Sequence, residues 1–307
     1  MSRRASLTTI VKRSLAGECR LPPGSTLLVA VSGGPDSMAL LSVLARVAPG
    51  LGLTVVAHGV DHGLRAEAAR ELDLAEALAN RCGVPFERTG VSIRRGGNLQ
   101  ARARDQRWAA LVTAARRRGA VIATAHHAED RAETLLMRLL RGAGRRGLGV
   151  IPPRASAPLP SDDLGDPVSV VRPILRARRE DVLAHLERNG VSFANDPWNG
   201  DPRFLRTVVR ARVLPLLVEL DPNVVDHLTS LADELVIDEP RGKSAEWARS
   251  LPRVTQDALR RLTASQSLDE RVWLPGGLVV SLDPRARHAR PGKPGKPDGR
   301  RAAKLPG

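Results

Sequence analysis

The apolar run Leu27 to Val31 leads without a break into Ser32-Gly33-Gly34-Pro35-Asp36-Ser37, and this into a helical pattern carried by Met38, Leu40, Leu41 and Leu44. A strand that turns through glycines into an apolar helix sets the turn at the carboxyl edge of a sheet. The first N–H groups of the helix have no partners of their own there and point at the turn. Gly33 and Gly34 let backbone amides approach a ligand without Cβ obstruction, so the segment is built to hold an anion. It contains neither GxxxxGK[ST] nor GxGxxG, which excludes the P-loop and the dinucleotide fingerprint.

The same rhythm continues down the chain. Strand patterns at Thr26 to Val31, Leu53 to Ala57, Phe86 to Val91 and Ala120 to Ala125 alternate with helical ones at Ser37 to Val47, Leu64 to Cys82, Leu99 to Arg118 and Ala128 to Leu140. Gly83, Gly119 and Gly142 stand where the last three helices should stop. Each interval is long enough for a right-handed crossover, which predicts an α/β fold: a Rossmann-like, mostly parallel sheet with helices on both faces.

Around this core the sequence predicts four parts: an N-terminal helix within residues 1–23, an α/β domain carrying the glycine turn over 24–215, a small mainly helical module over 216–283, and a basic disordered tail over 284–307. The Pro- and Asp-rich stretch at about 152–167 has no hydrophobic period and reads as a mobile loop. The 42% of apolar residues suffices for a core, and no run approaches the length of a membrane span, so a cytoplasmic protein without membrane contact is expected. Cys19 and Cys82, alone and far apart, build neither a disulfide framework nor a CxxC site. Against 33 Asp and Glu stand 48 Lys and Arg, a net charge of +15, and all but five of these cations are Arg, the better bidentate partner of phosphate. A polyanion, nucleic acid first, is the expected partner.

Further groups are candidates for chemistry. Asp36 beside a phosphate is repulsive unless a divalent cation bridges them or the side chain caps the helix; magnesium is favoured and capping is the alternative. Asp130 and Glu133, three apart at a helix start, share one side of a turn and suit a cation, or else complement the helix dipole. His58, Asp61, His62 and Arg65 follow the second strand at its carboxyl end, which would place them beside the glycine turn, or else they form a polar loop with a capping Asp. His126 and His127 are adjacent and lack HExxH, which argues against zinc. Arg104 and Arg107 share a helix face and could meet phosphate or a substrate carboxylate. Arg203, Arg206, Arg210 and Arg212 could follow an RNA backbone, and Trp198 could stack on an unpaired base; a solvated face and a filled core gap are the respective alternatives.

SGGPDS as a whole resembles the pyrophosphate loop of the N-type ATP pyrophosphatases. Together with VDHGLR, GNLQARARDQRW, AHHAEDRAETLLMRLLRGAG, VRPIL and NDPWN, in that order from Gly24 to Pro215, it resembles the successive motifs of the tRNA(Ile)-lysidine synthetases. Trp108 stands where that family usually has Tyr, and Thr207 where it often has Asn. Many members also carry further carboxyl-terminal domains that grip the tRNA. The resemblance implies an ATP- and Mg2+-dependent ligase that adenylates the wobble cytidine of a CAU-anticodon isoleucine tRNA and then joins free L-lysine to C2, forming lysidine. It implies that Ser32, Gly33, Gly34, Pro35, Asp36 and Ser37 bind ATP, that Asp36 lies near magnesium, and that Asp130 and Glu133 receive lysine. A tRNA thiolation enzyme of the same superfamily, or a non-catalytic nucleotide-dependent RNA binder, is the competing expectation.

Overall fold

The computed structural model describes residues 5–63, 66–92, 99–158, 163, 165–194 and 204–236, with three short strands further on. Contacts divide the chain into two compact units, 1–237 and 238–307. The first opens with α1 (Leu7–Ala16) and continues β1 (Thr26–Val31), α2 (Pro35–Val47), β2 (Thr54–Asp61), α3 (Ala66–Arg81), β3 (Phe86–Gly90), α4 (Leu99–Arg118), β4 (Val121–Ala123) and α5 (Ala128–Leu140). After α6 (Arg145–Leu148) come β5 (Arg154–Ser156), β6 (Ser169–Val171) and α7 (Arg179–Arg188). A single helical stretch then runs through α8 (Leu205–Val208), a π-helical turn (Val209–Val213) and α9 (Leu214–Leu220), and α10 (Val224–Leu235) closes the unit.

The sheet order is β3-β2-β1-β4-β6-β5, parallel throughout except for the β5–β6 pair. Strand side chains alternate between faces. Leu27, Val29 and Val31 therefore enter the core formed with α1, α2, α3 and α7, while Leu28 faces the other core, formed by Trp108, Leu111, Val112 and Ala115 of α4. Burial on both faces is why β1 is a continuous apolar run. Trp108 at the family's Tyr position fills this second core, with 6% of its surface exposed.

The chain runs outward from β1 to β2 and β3 on one side, then returns to place β4 on the other. That reversal opens a crevice at the carboxyl ends of β1 and β4, the place where open α/β sheets bind ligands. The glycine turn leaves β1 and α5 leaves β4, so topology alone brings Asp36 and the Asp130–Glu133 pair together.

Several expectations change. The second strand continues through Asp61, so His58 is a buried strand residue and not part of a loop. The stretch expected to be a mobile loop holds β5, because Ala155 finds backbone partners in Val170 of β6. Residues 216–236 pack with the first unit: Leu214 and Val225 join Ala128 and Ala132 of α5 in one apolar cluster. Within the region expected to be mainly helical, the structure has antiparallel strands β7 (Arg271–Trp273) and β8 (Val279–Leu282), and β9 (Ala289–Pro291) falls in the expected tail. The remainder of the expected module and tail lies outside the described residues.

Candidate active site at the carboxyl edge of the sheet

The glycine turn is braced from within. Ser37 accepts a hydrogen bond from the Ser32 backbone N–H at 3.1 Å, and its hydroxyl donates to the Gly34 carbonyl at 3.0 Å. The Ser37 hydroxyl, expected as a ligand donor, thus serves to close the turn. Gly33 has φ +78°, and its carbonyl accepts from Ala194 N–H at 2.9 Å. Gly34 caps α2, with Pro35 in the first turn, where its missing N–H costs nothing.

Asp36 follows on the first turn of α2, and its Oδ1 is buried with no hydrogen-bond partner. That oxygen caps nothing. It lies 3.7 Å from Nε2 of His127, a second buried atom without a hydrogen bond. Burial pushes the Asp36 pKa up, opposed by His127 and reinforced by Asp130. An unsatisfied carboxylate oxygen beside a glycine turn at a helix start is the environment a cation relieves, and magnesium characteristically takes one or two protein carboxylates and completes its shell with phosphate and water. Asp36 fits that role.

On α5, His127 occupies the N-cap and 1% of its side chain is exposed. Its backbone N–H donates to Asp130 Oδ2 at 3.2 Å, its Nδ1 lies 2.9 Å from Glu129 Oε2, and its Nε2 lies 3.5 Å from Asp130 Oδ2. Burial alone would lower the His127 pKa, but Glu129, Asp130 and Asp36 together raise it. Glu129 also accepts from Arg178 Nε at 2.7 Å and from the Arg179 backbone N–H at 3.0 Å, clamping the start of α5 to the start of α7. Despite burial, His127 and Arg178 bring the Glu129 pKa down to about 2.

Asp130 and Glu133 face the crevice, as expected, but they are not vacant. Arg206 donates from Nη2 to Asp130 Oδ1 at 2.6 Å and from Nε to Glu133 Oε2 at 3.0 Å. Arg210 donates from Nε to Glu133 Oε1 at 2.6 Å and from Nη2 to Glu133 Oε2 at 3.0 Å and Asp130 Oδ1 at 3.1 Å. Burial would raise the Asp130 pKa; His127 and Arg206 hold it below the ordinary range. Both readings of Asp130 are therefore realised, since Oδ2 serves the helix start and Oδ1 the arginines.

The helix that carries these arginines is shaped by Pro215. It has no N–H to give Ala211, and its ring would crowd that carbonyl in a regular α-helix. The chain widens into the π turn just before it, as helices do where the regular ladder is interrupted.

Arg104 and Arg107 are exposed on α4 and have no hydrogen-bond or ion-pair partner among the described residues. Burial, opposed by Asp130 and assisted by Arg172, Arg206 and Arg104, brings the His126 pKa down to about 4, so this imidazole is neutral at pH 7. Arg104 is near enough to His126 to contribute to that lowering, whereas Arg107 acts on His62, whose pKa burial and this arginine lower together. Asp61 accepts from Gly63 N–H at 2.9 Å, a local turn contact, and His58 bonds Thr89 Oγ1 at 3.0 Å inside the sheet. Arg212 is exposed on the π turn. Arg65, Trp198 and Arg203 lie outside the described residues.

Sequence reasoning missed His127, Glu129 and Arg178 as parts of the site. The signal for the first was present: a polar N-cap followed three residues later by an acid is a capping pattern. The clamp from Glu129 to α7 spans |i−j| = 49 and 50, which no local spacing reveals.

A braced glycine turn and a carboxylate with an unbonded oxygen meet at the switch point of a parallel sheet, and the chain belongs to the PP-loop domain family, which it matches over residues 7–217. Within that family it is similar to the tRNA(Ile)-lysidine synthases. It is 38% identical to that of Symbiobacterium thermophilum over 274 residues, covering 85% of this chain and 53% of the relative. It is 40% identical to that of Novosphingobium aromaticivorans, over 67% of this chain and 61% of the relative, and 38% identical to that of Thermobifida fusca, over 74% and 67%. The chain thus spans between about half and two thirds of the length of these relatives. Among solved structures, the U34-tRNA thiolase NcsA from Methanococcus maripaludis, with its [4Fe-4S] cluster, superposes with a TM-score of 0.62 at 17% identity, over 76% of this chain and 79% of that one. This likeness is one of fold.

Proposed function

We propose that this chain joins free L-lysine to C2 of the wobble cytidine in a CAU-anticodon isoleucine tRNA, using ATP. The reading rests on one juxtaposition: His127 Nε2 lies 3.7 Å from the phosphate-loop carboxylate of Asp36 and 3.5 Å from Asp130 of the acid pair. A nucleotide and an amine would meet across that imidazole.

The amides of Gly33 and Gly34 and the start of α2 would hold the departing pyrophosphate, where fixed N–H dipoles are most effective. Magnesium held by Asp36 would neutralise charge on the phosphates. Cytidine O2 attacks the α-phosphorus and pyrophosphate leaves. The lysine ε-amine, having shed a proton, then attacks C2, and AMP departs with the C2–O bond. Asp130 and Glu133 would bind the amine as ammonium, and Arg104, without a partner among the described residues, would take phosphate or the lysine carboxylate. The net positive charge suits a tRNA, and Arg212, exposed on the π turn, would be open to its backbone, with Arg206 and Arg210 beside the acid pair.

Thiolation would need an accessible sulfur. Cys19 has 0% of its surface exposed and lies 3.4 Å from the Ser14 hydroxyl, and burial pushes its thiol pKa up; Cys82 is partly exposed but follows α3 and precedes β3, at the amino edge of the sheet away from the glycine turn, which favours the ligase reading. Among the described residues no helix is long and apolar enough to cross a membrane, and a cytoplasmic setting belongs to the same proposal.

Glu133 separates the two half-sites experimentally. Glu133→Gln keeps the shape and removes one charge, so the KM for lysine should rise by roughly tenfold or more, with the KM for ATP unchanged. Steady-state AMP release at varied lysine and varied ATP checks this. Equal changes in both constants would remove the acid pair from the amine site.

A further inference from the structure

The carboxylates of Asp130 and Glu133 are covered by their own chain. Asp130 retains 8% and Glu133 1% of their exposed surface, while the side chains of Arg206 and Arg210, lying over them, are 44% and 33% exposed. Both guanidiniums converge on one oxygen, Asp130 Oδ1, and both reach Glu133. An incoming ammonium cannot reach these oxygens while both arginines hold them, because the same lone pairs are already in use. The outer halves of the guanidiniums, by contrast, face solvent beside the phosphate turn, and Arg210 is close enough to Asp36 to interact with it.

Resting on the reading of Asp130 and Glu133 as the lysine site, we infer that Arg206 and Arg210 form a latch that closes the amine site in the free protein, and that RNA backbone phosphates open it by drawing the guanidiniums away. Guanidinium pairs as well with a phosphodiester as with a carboxylate, in the same bidentate geometry, so the exchange trades like contacts for like. The carboxylates vacated by the arginines are buried and anionic and take the next available cation, the lysine ammonium. Lysine binding and RNA binding are then one coupled equilibrium. The consequence is an order: the amine is admitted once the nucleic acid that will receive it is in place.

Coupling of this kind is reciprocal. Binding of labelled lysine to the full chain should be measured by equilibrium dialysis without ATP, in the presence and absence of saturating CAU-anticodon isoleucine tRNA. The tRNA should tighten lysine binding by roughly tenfold, and lysine should tighten tRNA binding by the same factor. Arg206→Gln/Arg210→Gln should bind lysine without tRNA as tightly as the unaltered protein does with it, and added tRNA should give no further gain. Each single Gln variant should fall between, and ATP binding to all variants reports that the fold is kept. Equal lysine affinity with and without tRNA, unchanged by the substitutions, overturns the latch and leaves the amine site standing. Lysine binding absent in every arm, the double variant with tRNA included, overturns the amine site and the latch together.

Discussion

Gly33→Ala is expected to destabilise the first unit by about 3 kcal/mol or more and to abolish ATP binding. Two costs add. Gly33 has φ +78°, a region L-residues with a Cβ rarely adopt, and an added Cβ would lie 2.3 Å from the carbonyl oxygen of Glu71 and 2.7 Å from its carbon. The obstacle is the backbone of α3, which cannot swing aside as a side-chain tip can. Relief requires the turn itself to move, and with it the amides that would face the phosphates. In a unit of this size the loss corresponds to a melting temperature lower by roughly 6–12 °C. Gly34→Ala is the internal control: its φ is −74° and the nearest atom to an added Cβ is Ser32 Oγ at 3.6 Å, so stability should change by less than about 1 kcal/mol. Thermal denaturation of both variants, with ATP binding measured alongside, decides the matter. Equal melting temperatures for the two would contradict the packing described for the turn.

Asp36→Asn should slow pyrophosphate release by about 10²–10³-fold while leaving the fold intact. The substitution preserves shape but removes the charge whose Oδ1 has no hydrogen-bond partner and whose pKa burial already raises. Stability should change little, since the substitution removes both the burial cost of the charge and its 3.7 Å pairing with His127. Activity should fall because Asp36 would no longer hold a cation that neutralises charge on the phosphates, and the magnesium concentration for half-maximal rate should rise. Pyrophosphate release followed over a magnesium titration tests both. A variant with unaltered rate and unaltered magnesium dependence would return Asp36 to the part of a helix-start acid.

The parts legible in the sequence are those governed by local rules. β1 and α4 keep their expected limits because an apolar run and a helical period each declare themselves within a few residues. The acid pair was legible for the same reason, since three-residue spacing at a helix start fixes a shared side. β5 was hidden because Arg154 to Ser156 carries no strand period, and its partner strand lies beyond an intervening loop. β2 was read short because His58 and Asp61 look like loop residues, although Thr89 and Glu87 on the neighbouring strand give His58 its polar partners. The occupants of the acid pair could not be read at all. Arg206 and Arg210 are separated from it by |i−j| of 73 to 80, and on their own helix they resemble any solvated basic face. Only the packing of α8 and the π turn against α5 turns that face inward.

The most direct measurement follows the amino acid itself. The full chain is incubated with ATP, magnesium, radiolabelled lysine and an unmodified CAU-anticodon isoleucine tRNA, and the RNA is digested and analysed. One lysine should appear on the wobble cytidine for each AMP and each pyrophosphate released, and AMP release should cease when lysine is withheld. AMP formed at the same rate without lysine, or RNA that carries no label while ATP is consumed, would contradict the meeting of nucleotide and amine at this edge of the sheet.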